Sequence, residues 1–249
     1  RLMNLPQLTG DNSPRAAYGA VYASPWWGLA VFQRGLPEEV LEDDEFVPST
    51  RWVDVADTET EATFGALAAV LPAGPVDRMD YGNEVLVDMP AAEFESVSDL
   101  TMFSGVNAIA IESSSGVWEI VQFARAELVS QGRWSLTRLL RGQRGTEDSM
   151  GAPAPIGATV VLLDESLTEL VLALGEIGTD ASWRVLPADA VTGDEAITNV
   201  AFEHEGRGLR PFSPAHPRGV LEPDGSMTLS WLRRSRRPGA RGGIVFGAG

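Results

Sequence analysis

The sequence contains neither cysteine nor lysine among its 249 residues. Without cysteine the chain has no disulfide, no thiolate ligand for zinc and no thiol nucleophile. Its two histidines, His204 and His216, leave little for a metal site or for a general base. No run approaches the roughly 20 apolar residues of a membrane-spanning helix, and the first residues lack the apolar centre of a signal peptide. We therefore expect no metal, no cofactor and no membrane span.

The charge is divided unevenly along the chain. Residues 1–206 carry 11 Arg and 33 acidic residues, a net charge of −22, whereas residues 207–249 carry 8 Arg and 2 acidic residues, a net charge of +6. A basic run such as 233–237 is one mark of a nucleic-acid-binding arm. Because this run follows a strand pattern directly, a turn explains it better, and we expect no sequence-specific contact with nucleic acid.

The composition favours a turn-rich β structure. The chain has 26 Gly and 16 Pro, and its apolar runs are short and rich in Val, Ile, Thr and aromatic residues. We predict an antiparallel barrel or sandwich, with an acidic surface loop at 38–45 and a short helix at 98–105 capped by Ser98. The main strands are predicted at 18–24, 26–34, 51–56, 62–71, 83–89, 107–111, 117–126, 132–140 and 159–163; the Ala-rich run 62–71 is also compatible with a short helix, because it is too short for its periodicity to decide.

Three units are expected along the chain. A β-rich domain spans 1–208, and a stiff linker with three prolines spans 209–218. The segment 219–249 has a strand, an Asp-Gly turn and a strand that ends in Trp231, and it resembles the opening of a fibronectin type III module. Such a module needs about 90 to 100 residues. We therefore expect a partial module, and a chain that is a piece of a longer polypeptide.

The most distinctive segment is Trp134–Glu147, which combines three arginines with two glycines. Arg138, Arg141 and Arg144 alternate with apolar residues and flank Gly142 and Gly145. The arginines could form a positive rim for a phosphate or a carboxylate. We favour a structural clamp, in which they tie the turn to nearby acidic residues, namely Glu127, Glu147 or Asp148. The glycines permit a sharp turn with positive φ, but the Lys-Ser/Thr of a phosphate loop is missing.

The residue types also allow two other functions. Carboxylate pairs such as Glu112 with Glu119, or Asp164 with Glu165, could serve a glycosidase, but sequence does not show their separation. We expect no enzymatic activity in this chain. The seven tryptophans could stack on sugars as in a carbohydrate-binding module, although most lie in strand patterns that favour a core position; they are Trp26, Trp27, Trp52, Trp118, Trp134, Trp183 and Trp231.

The strands around the arginines resemble the central-hub tail proteins of long-tailed phages and of gene transfer agents, including the large baseplate polypeptide called megatron. The shared pattern is a strand from Asn107, a strand with Trp118 and Phe123, the run Leu139-Leu140-Arg141-Gly142-x-x-Gly145-Thr146-Glu147, and an apolar strand at 157–164. The resemblance covers roughly residues 18 to 235. We call residues 138–147 the arginine signature.

The resemblance implies a structural function. It predicts a virion protein of the tail tip or baseplate, assembled in the bacterial cytoplasm, that associates with itself in a ring. Its expected partners are other hub subunits and receptor-binding fibre proteins, and its expected role is host attachment and DNA ejection. The alternative is a module that contacts cell-surface glycans.

Overall fold

The computed structural model describes residues 1–42, 45–190 and 197–234 of the chain. Strands make up 47% of the described residues and helices 8%, which confirms the expected mainly β fold. The strands, in chain order, are β1 (Leu2–Met3), β2 (Ala16–Gly19), β3 (Ala30–Glu42), β4 (Glu45–Thr58), β5 (Phe64–Leu67), β6 (Met79–Asp80), β7 (Val85–Asp88), β8 (Ala108–Ser114), β9 (Val117–Ser130), β10 (Arg133–Leu140), β11 (Thr159–Leu162), β12 (Thr168–Val171), β13 (Asp180–Pro187), β14 (Val200–Glu203), β15 (Ala215–Leu221) and β16 (Met227–Leu232).

Helices are short throughout the described residues. The α-helix α1 spans Asp99–Met102, and the side chain of Ser98 accepts a hydrogen bond from the backbone N of Thr101 at 3.1 Å, as the sequence predicts. Four 3-10 helices of three to five residues lie at Gln143–Gly145, Glu147–Gly151, Leu174–Glu176 and Arg207–Leu209. None of these helices is long enough to cross a membrane.

Six strands close into an antiparallel barrel. Around the barrel their order is β5, β7, β10, β9, β8 and β11, and β6 adds to the end of β10. The predicted meander supplies β8, β9 and β10, and the pairing of β11 with both β8 and β5 closes the ring. Aliphatic and aromatic side chains fill the interior, among them Val85, Val87, Ile109, Ile111, Val121, Phe123, Leu136, Leu139 and Val160.

A three-stranded sheet of β1, β2 and β12 forms a middle layer. Its residues alternate between two cores: Tyr18 and Ala20 pack on the outside of the barrel, whereas Ala17 and Val21 pack on the next sheet. This alternation is the period of two that strands impose. Gly19 allows the middle sheet to lie close to β3 of the next sheet, because a Cβ at this position would overlap the ring of Phe32.

The outer sheet contains β14, β13, β3 and β4, and its β3–β4 hairpin extends well beyond it. β13 pairs with β3 only from Ala30 to Arg34, whereas β3 and β4 remain paired as far as Glu42 and Glu45. We call residues 35–42 and 45–52 the arm. Where an acidic loop was expected at 38–45, residues 38–42 instead continue β3 in the arm. Strand pairing tolerates these like charges because Glu38 and Glu39 lie on opposite faces of an exposed two-stranded ribbon, where both carboxylates remain in solvent. Asp43 and Asp44 lie outside the described residues.

The C-terminal part contains the hairpin of β15 and β16. β15 begins at Ala215, inside the range predicted as a linker, and residues 235–249 lie outside the described part of the chain. Trp231 lies in β16 and is half-buried. The division at 208 and the fibronectin-like module stay predictions.

Candidate functional site

The arginine signature begins in the last residues of strand β10 and continues into the turn that follows it. Leu139 is fully buried in the interior opposite Phe123, and Leu140 pairs with Met79 of β6. Phe94 packs edge-on against Phe123, with ring centroids 5.1 Å apart. Trp118 of the resemblance lies on the outer face of β9, where it packs with the middle sheet. The apolar residues of the resemblance therefore belong to two cores, since Phe123 and Leu139 lie in the barrel interior and Trp118 lies against the middle sheet.

Arg138 is the first arginine of the signature and lies on the outside of the barrel. Its backbone adopts a positive φ of 56° within β10, which is uncommon for a residue with a side chain. The guanidinium binds both carboxylate oxygens of Asp99 in α1, and lies over the ring of Tyr81 at 5.3 Å from its centroid. Arg138 therefore holds the segment that contains α1 against the outside of the barrel.

Arg141 is buried at the end of the barrel, with 2% of its surface exposed. Its Nε donates to Glu119 Oε1 at 2.7 Å and its Nη2 donates to Oε2 at 2.8 Å. Nη1 donates to the carbonyl of Pro72 at 3.0 Å. Glu119 is itself 1% exposed and also accepts a hydrogen bond from the backbone N of Gly142 at 3.1 Å. The pair is thus fully desolvated and bidentate, the strongest arrangement of these two groups.

Asp80 is a second buried carboxylate beside Arg141, with its Oδ2 3.6 Å from Nη1. Burial opposes the ionisation of Asp80, but hydrogen bonds from the side chain and backbone of Asn83 and from Gly82, together with the charge of Arg141, bring its pKa below the usual 3.8. Gly74 lies against the pair, since a Cβ there would be 2.7 Å from Arg141 Cγ and from Asp80 Oδ2. Arg141 therefore holds two carboxylates in one enclosed cluster.

The turn after Arg141 needs its glycine. Gly142 has a φ of +57°, and a Cβ there would lie 2.8 Å from the Cα of Glu147. Thr146, which is fully buried, accepts a hydrogen bond from the backbone N of Ile120 at 3.0 Å and donates to the carbonyl of Gln143 at 2.8 Å. The turn is consequently fixed to β9 by this contact with Ile120 and by the hydrogen bond from Gly142 N to Glu119.

Arg144 and Gly145 continue this turn with φ angles of +58° and +88°. Arg144 borders a cavity of about 360 Å³ that Tyr18 and Asp164 also line. Burial lowers the pKa of the Arg144 guanidinium from its usual value, and burial is also the main reason that the pKa of Tyr18 rises to about 12. Glu165 lines the same cavity.

The end of the signature contacts the C-terminal part of the chain. Glu147 binds Arg234, whose guanidinium also lies 3.5 Å from Asp77. Asp148 accepts two hydrogen bonds from Arg207, at 2.9 and 2.6 Å. These two acids therefore attach residues 207 and 234 to the barrel.

The predicted carboxylate partners of Arg138 and Arg141 were wrong. The structure pairs them with Asp99 and Glu119, and gives Glu147 and Asp148 to C-terminal arginines. The register of the β9–β10 hairpin explains the choice of Glu119. Because Leu140 lies opposite Gln122, Glu119 is a diagonal neighbour of Arg141 on one face.

The carboxylates named as candidate glycosidase pairs bind other groups of the chain. Glu119 is occupied by Arg141, while Glu112 accepts a hydrogen bond from the backbone N of Gly116 at 3.1 Å. Asp164 accepts hydrogen bonds from the backbone and hydroxyl of Ser166. Within residues 1–42, 45–190 and 197–234, no group of three or more His, Asp or Glu side chains is arranged to hold a metal ion.

Comparison with known proteins gives a match to the barrel. No curated protein matches the chain. Residues 62–161 match the model of a family described as Rcc01698-like, C-terminal, and this range begins two residues before β5 and ends one residue before the end of β11. The six-stranded barrel, with the arginine signature that closes its end, is therefore the part of the chain that is similar to the C-terminal domain of that family.

Proposed function

We propose that this chain is a structural component of the tail tip or baseplate of a phage or gene transfer agent. In this proposal it forms part of the hub, anchors receptor-binding fibres and aids DNA delivery into the host cell. The proposal rests on the resemblance of the arginine signature to the hub proteins. The observation that carries it is the bidentate pair of Arg141 and Glu119, which attaches the arginine signature to β9 at the end of the barrel.

The surroundings of the arginines support a structural role over an enzymatic one. Arg141 has 2% of its surface exposed, and its three nitrogens contact Glu119, Asp80 and the carbonyl of Pro72. A guanidinium that is buried in this way, with each of its nitrogens directed at a protein oxygen, is not accessible to a substrate phosphate or carboxylate. Glu119 is also buried, at 1% exposure, and its two oxygens accept three hydrogen bonds from Arg141 and Gly142.

The tryptophans favour a hub subunit over the carbohydrate-binding alternative. All seven lie in the described residues, and only Trp27 is exposed, at 42%. Trp118 and Trp183 are buried in separate cores. A sugar platform needs several exposed aromatic faces on one surface, because each stacks on a separate ring of the ligand.

The test is to locate the chain on the intact particle. Antibodies raised against the purified protein and coupled to gold are applied to tailed particles from the producing bacterium, and labelled particles are viewed by negative-stain microscopy. We expect the label at the end of the tail that is distal to the head. Particles from a strain that lacks the coding region serve as the control and should be unlabelled.

Two results would contradict the proposal. Label on the head or along the tail tube would give the chain a different structural place. Absence of the protein from purified particles, together with binding to an array of bacterial glycans, would support the carbohydrate-binding alternative instead.

A further inference from the structure

The third arginine of the signature, Arg144, has a different place from Arg138 and Arg141. It borders the cavity of about 360 Å³ that residues of the middle sheet and of the loop after β11 also line, and we call this space the Arg144 cavity. Gly105 lies directly against the guanidinium, since a Cβ there would be 3.3 Å from Arg144 Nη2. The φ of +58° at Arg144 is strained for a residue with a side chain, and such residues cluster at ligand-binding sites.

Tyr18 of β2 supplies a second polar group at the buried side of the cavity. Only 2% of its surface is exposed. Its hydroxyl oxygen accepts a hydrogen bond from the backbone N of Leu8 at 3.2 Å, but the hydroxyl proton has no acceptor among the residues that the structure describes. Burial raises the pKa of Tyr18 to about 12, so the proton is present at neutral pH. Buried donors are normally satisfied, and the Arg144 cavity is where an acceptor for this proton can lie.

The rim of the cavity is acidic. Asp164 and Glu165 line it, and both are exposed. Asp164 binds Ser166 through Oδ1, and in the described part of the chain neither its Oδ2 nor the carboxylate of Glu165 has a hydrogen-bond partner. Besides burial, the charge of Glu169 raises the pKa of Tyr18. Negative charge therefore surrounds the cavity, and it opposes the binding of a phosphate or a carboxylate.

The cavity is larger than a water site and has apolar walls. A water molecule occupies about 30 Å³ of the liquid, whereas ligand pockets of proteins measure about 300 to 1,000 Å³. Leu8, Leu163 and Leu167 line the cavity and pack against the core that contains Tyr18. The site therefore combines hydrogen-bond donors, hydrogen-bond acceptors and apolar surface in one space that opens to solvent.

We propose that the Arg144 cavity binds a neutral sugar unit. Each sugar hydroxyl both donates and accepts, so one ligand can accept hydrogen bonds from Tyr18 and Arg144 and donate to Asp164 and Glu165. A guanidinium carries five N–H donors, so Arg144 binds the ligand while it keeps a contact within the chain. The C–H faces of the sugar ring pack against the leucine side chains. A neutral ligand also avoids the repulsion that an anion meets here.

This inference goes beyond the proposed function and does not depend on it. A carbohydrate-binding module would use a row of exposed aromatic faces, whereas the Arg144 cavity is one hydrogen-bonding pocket on a structural subunit. A single sugar unit in such a pocket should bind with a dissociation constant on the order of 1 mM. At a tail tip this contact would be made with a glycan of the host surface.

Ligand-observed NMR on the full 249-residue chain tests the proposal. The probes are glucose, galactose, mannose, rhamnose and N-acetylglucosamine, and saturation transfer from the protein identifies a sugar that binds. Titration calorimetry then measures its dissociation constant. We expect at least one probe to bind, with an affinity that salt barely changes because the ligand is uncharged. Inorganic phosphate and acetate are the anionic comparison and should not bind.

Two variants remove single groups of the cavity. Tyr18→Phe removes only a hydroxyl, and Arg144→Gln removes the charge of the guanidinium; each should weaken the bound sugar by about tenfold or more, because a polar group of the complex loses its partner. The matched controls are Tyr81→Phe, at a residue that is 68% exposed, and Arg125→Gln, at an exposed position of β9. Both controls should bind the sugar as the unmodified protein does.

A third variant keeps the test valid if a change at Tyr18 or Arg144 unfolds the chain. Glu165 is exposed and binds no other described residue, so Glu165→Ala should leave the thermal midpoint unchanged. It should still weaken the sugar by about fivefold, because a carboxylate that accepts from a sugar hydroxyl is lost.

Three results would overturn the proposal. The first is that none of the five sugars binds at about 20 mM, well above the expected dissociation constant. The second is that phosphate or acetate binds instead and is lost in Arg144→Gln. The third is that a sugar binds but all three variants keep its affinity, which places it elsewhere on the chain.

The proposed function fails by a different measurement. Gold label away from the tail tip would refute the hub function even if the Arg144 cavity binds a sugar. Label at the tail tip, together with failure of every sugar to bind, would refute only the sugar site.

Discussion

The guanidinium of Arg141 and the carboxylate of Glu119 meet through two parallel hydrogen bonds of 2.7 and 2.8 Å at the end of the barrel. Both side chains are almost fully buried, at 2% and 1% exposure. A matched pair lies at the other end of β10, where Arg133 binds Asp88 at 2.6 and 2.7 Å in solvent. One barrel therefore contains a buried and an exposed version of the same interaction.

The first prediction concerns this contrast. Arg141→Ala should lower the free energy of unfolding by about 3 to 5 kcal/mol, because it leaves Glu119 and Asp80 buried without their cation. Arg133→Ala should have little effect, because Asp88 stays in water when its partner is removed. Urea denaturation of both variants, followed by tryptophan fluorescence, measures the difference.

The double variant Arg141→Met with Glu119→Gln gives an internal check. Because it removes both charges of the pair, we expect it to cost less than the sum of the two single changes. If Arg141→Ala melts like the unmodified protein and instead loses binding to an anionic ligand, the clamp interpretation fails.

The second prediction concerns the space beside Arg141. Gly74→Ala should destabilise the protein by about 1 to 3 kcal/mol, because the added Cβ would lie 2.7 Å from Arg141 Cγ and from Asp80 Oδ2. Gly151→Ala is the control, since nothing lies within 4 Å of a Cβ at that position. Equal thermal midpoints for the two variants would show that the cluster is not tightly packed.

The third prediction concerns the buried His204. Its Nδ1 accepts a hydrogen bond from the backbone N of Gly206 at 2.9 Å, so its Nε2 carries the proton and donates to the carbonyl of Arg15 at 2.8 Å. Burial is the main reason that the pKa of His204 lies below the usual 6.5, although the hydrogen bond to Arg15 opposes this shift. The folded protein therefore holds this histidine neutral.

The sign of the pH dependence follows from this shift. Above about pH 6.5 the histidine is neutral in both the folded and the unfolded chain, and its contribution to stability is complete. As the pH falls below 6.5 the unfolded chain binds a proton first, so stability decreases until the folded pKa is passed. Denaturation between pH 7.5 and about 5 should show this loss.

A comparison of variants isolates the histidine from other titrating groups. His204→Gln should be less stable at pH 7 but should lose less stability on acidification, whereas His216→Gln, at an exposed position, should behave like the unmodified protein. Parallel curves for the unmodified protein and His204→Gln would contradict the prediction.

The fourth prediction concerns local stability. The β15–β16 hairpin is a two-stranded sheet with mostly exposed residues, and an isolated hairpin is only marginally stable. Brief trypsin digestion should therefore cut at this hairpin, after Arg218 or Arg233, before it cuts in the barrel. A first cut after Arg125 or Arg133 in the barrel would contradict the order of stability that we expect.

Local rules were sufficient for much of the fold. The short apolar runs determined the strands of the meander, the Ser98 cap determined the start of α1, and the alternation of Ala17, Tyr18 and Val21 determined two buried faces. Gly142 determined a turn with positive φ, because that conformation is nearly free of strain only for glycine. Each of these features depends on residues that are close in sequence.

Only the tertiary structure decided which groups meet. Glu119 binds Arg141 because β9 and β10 pair in one register and the barrel closes over both, and Asp80 joins them through β6, which is distant in sequence. Residues 38–42 form part of the arm because their pairing with β4 continues beyond the part of β3 that pairs with β13, although their like charges favour a loop. Register and barrel closure are properties of the whole chain, so the partners of a buried charge cannot be read from its neighbours in sequence.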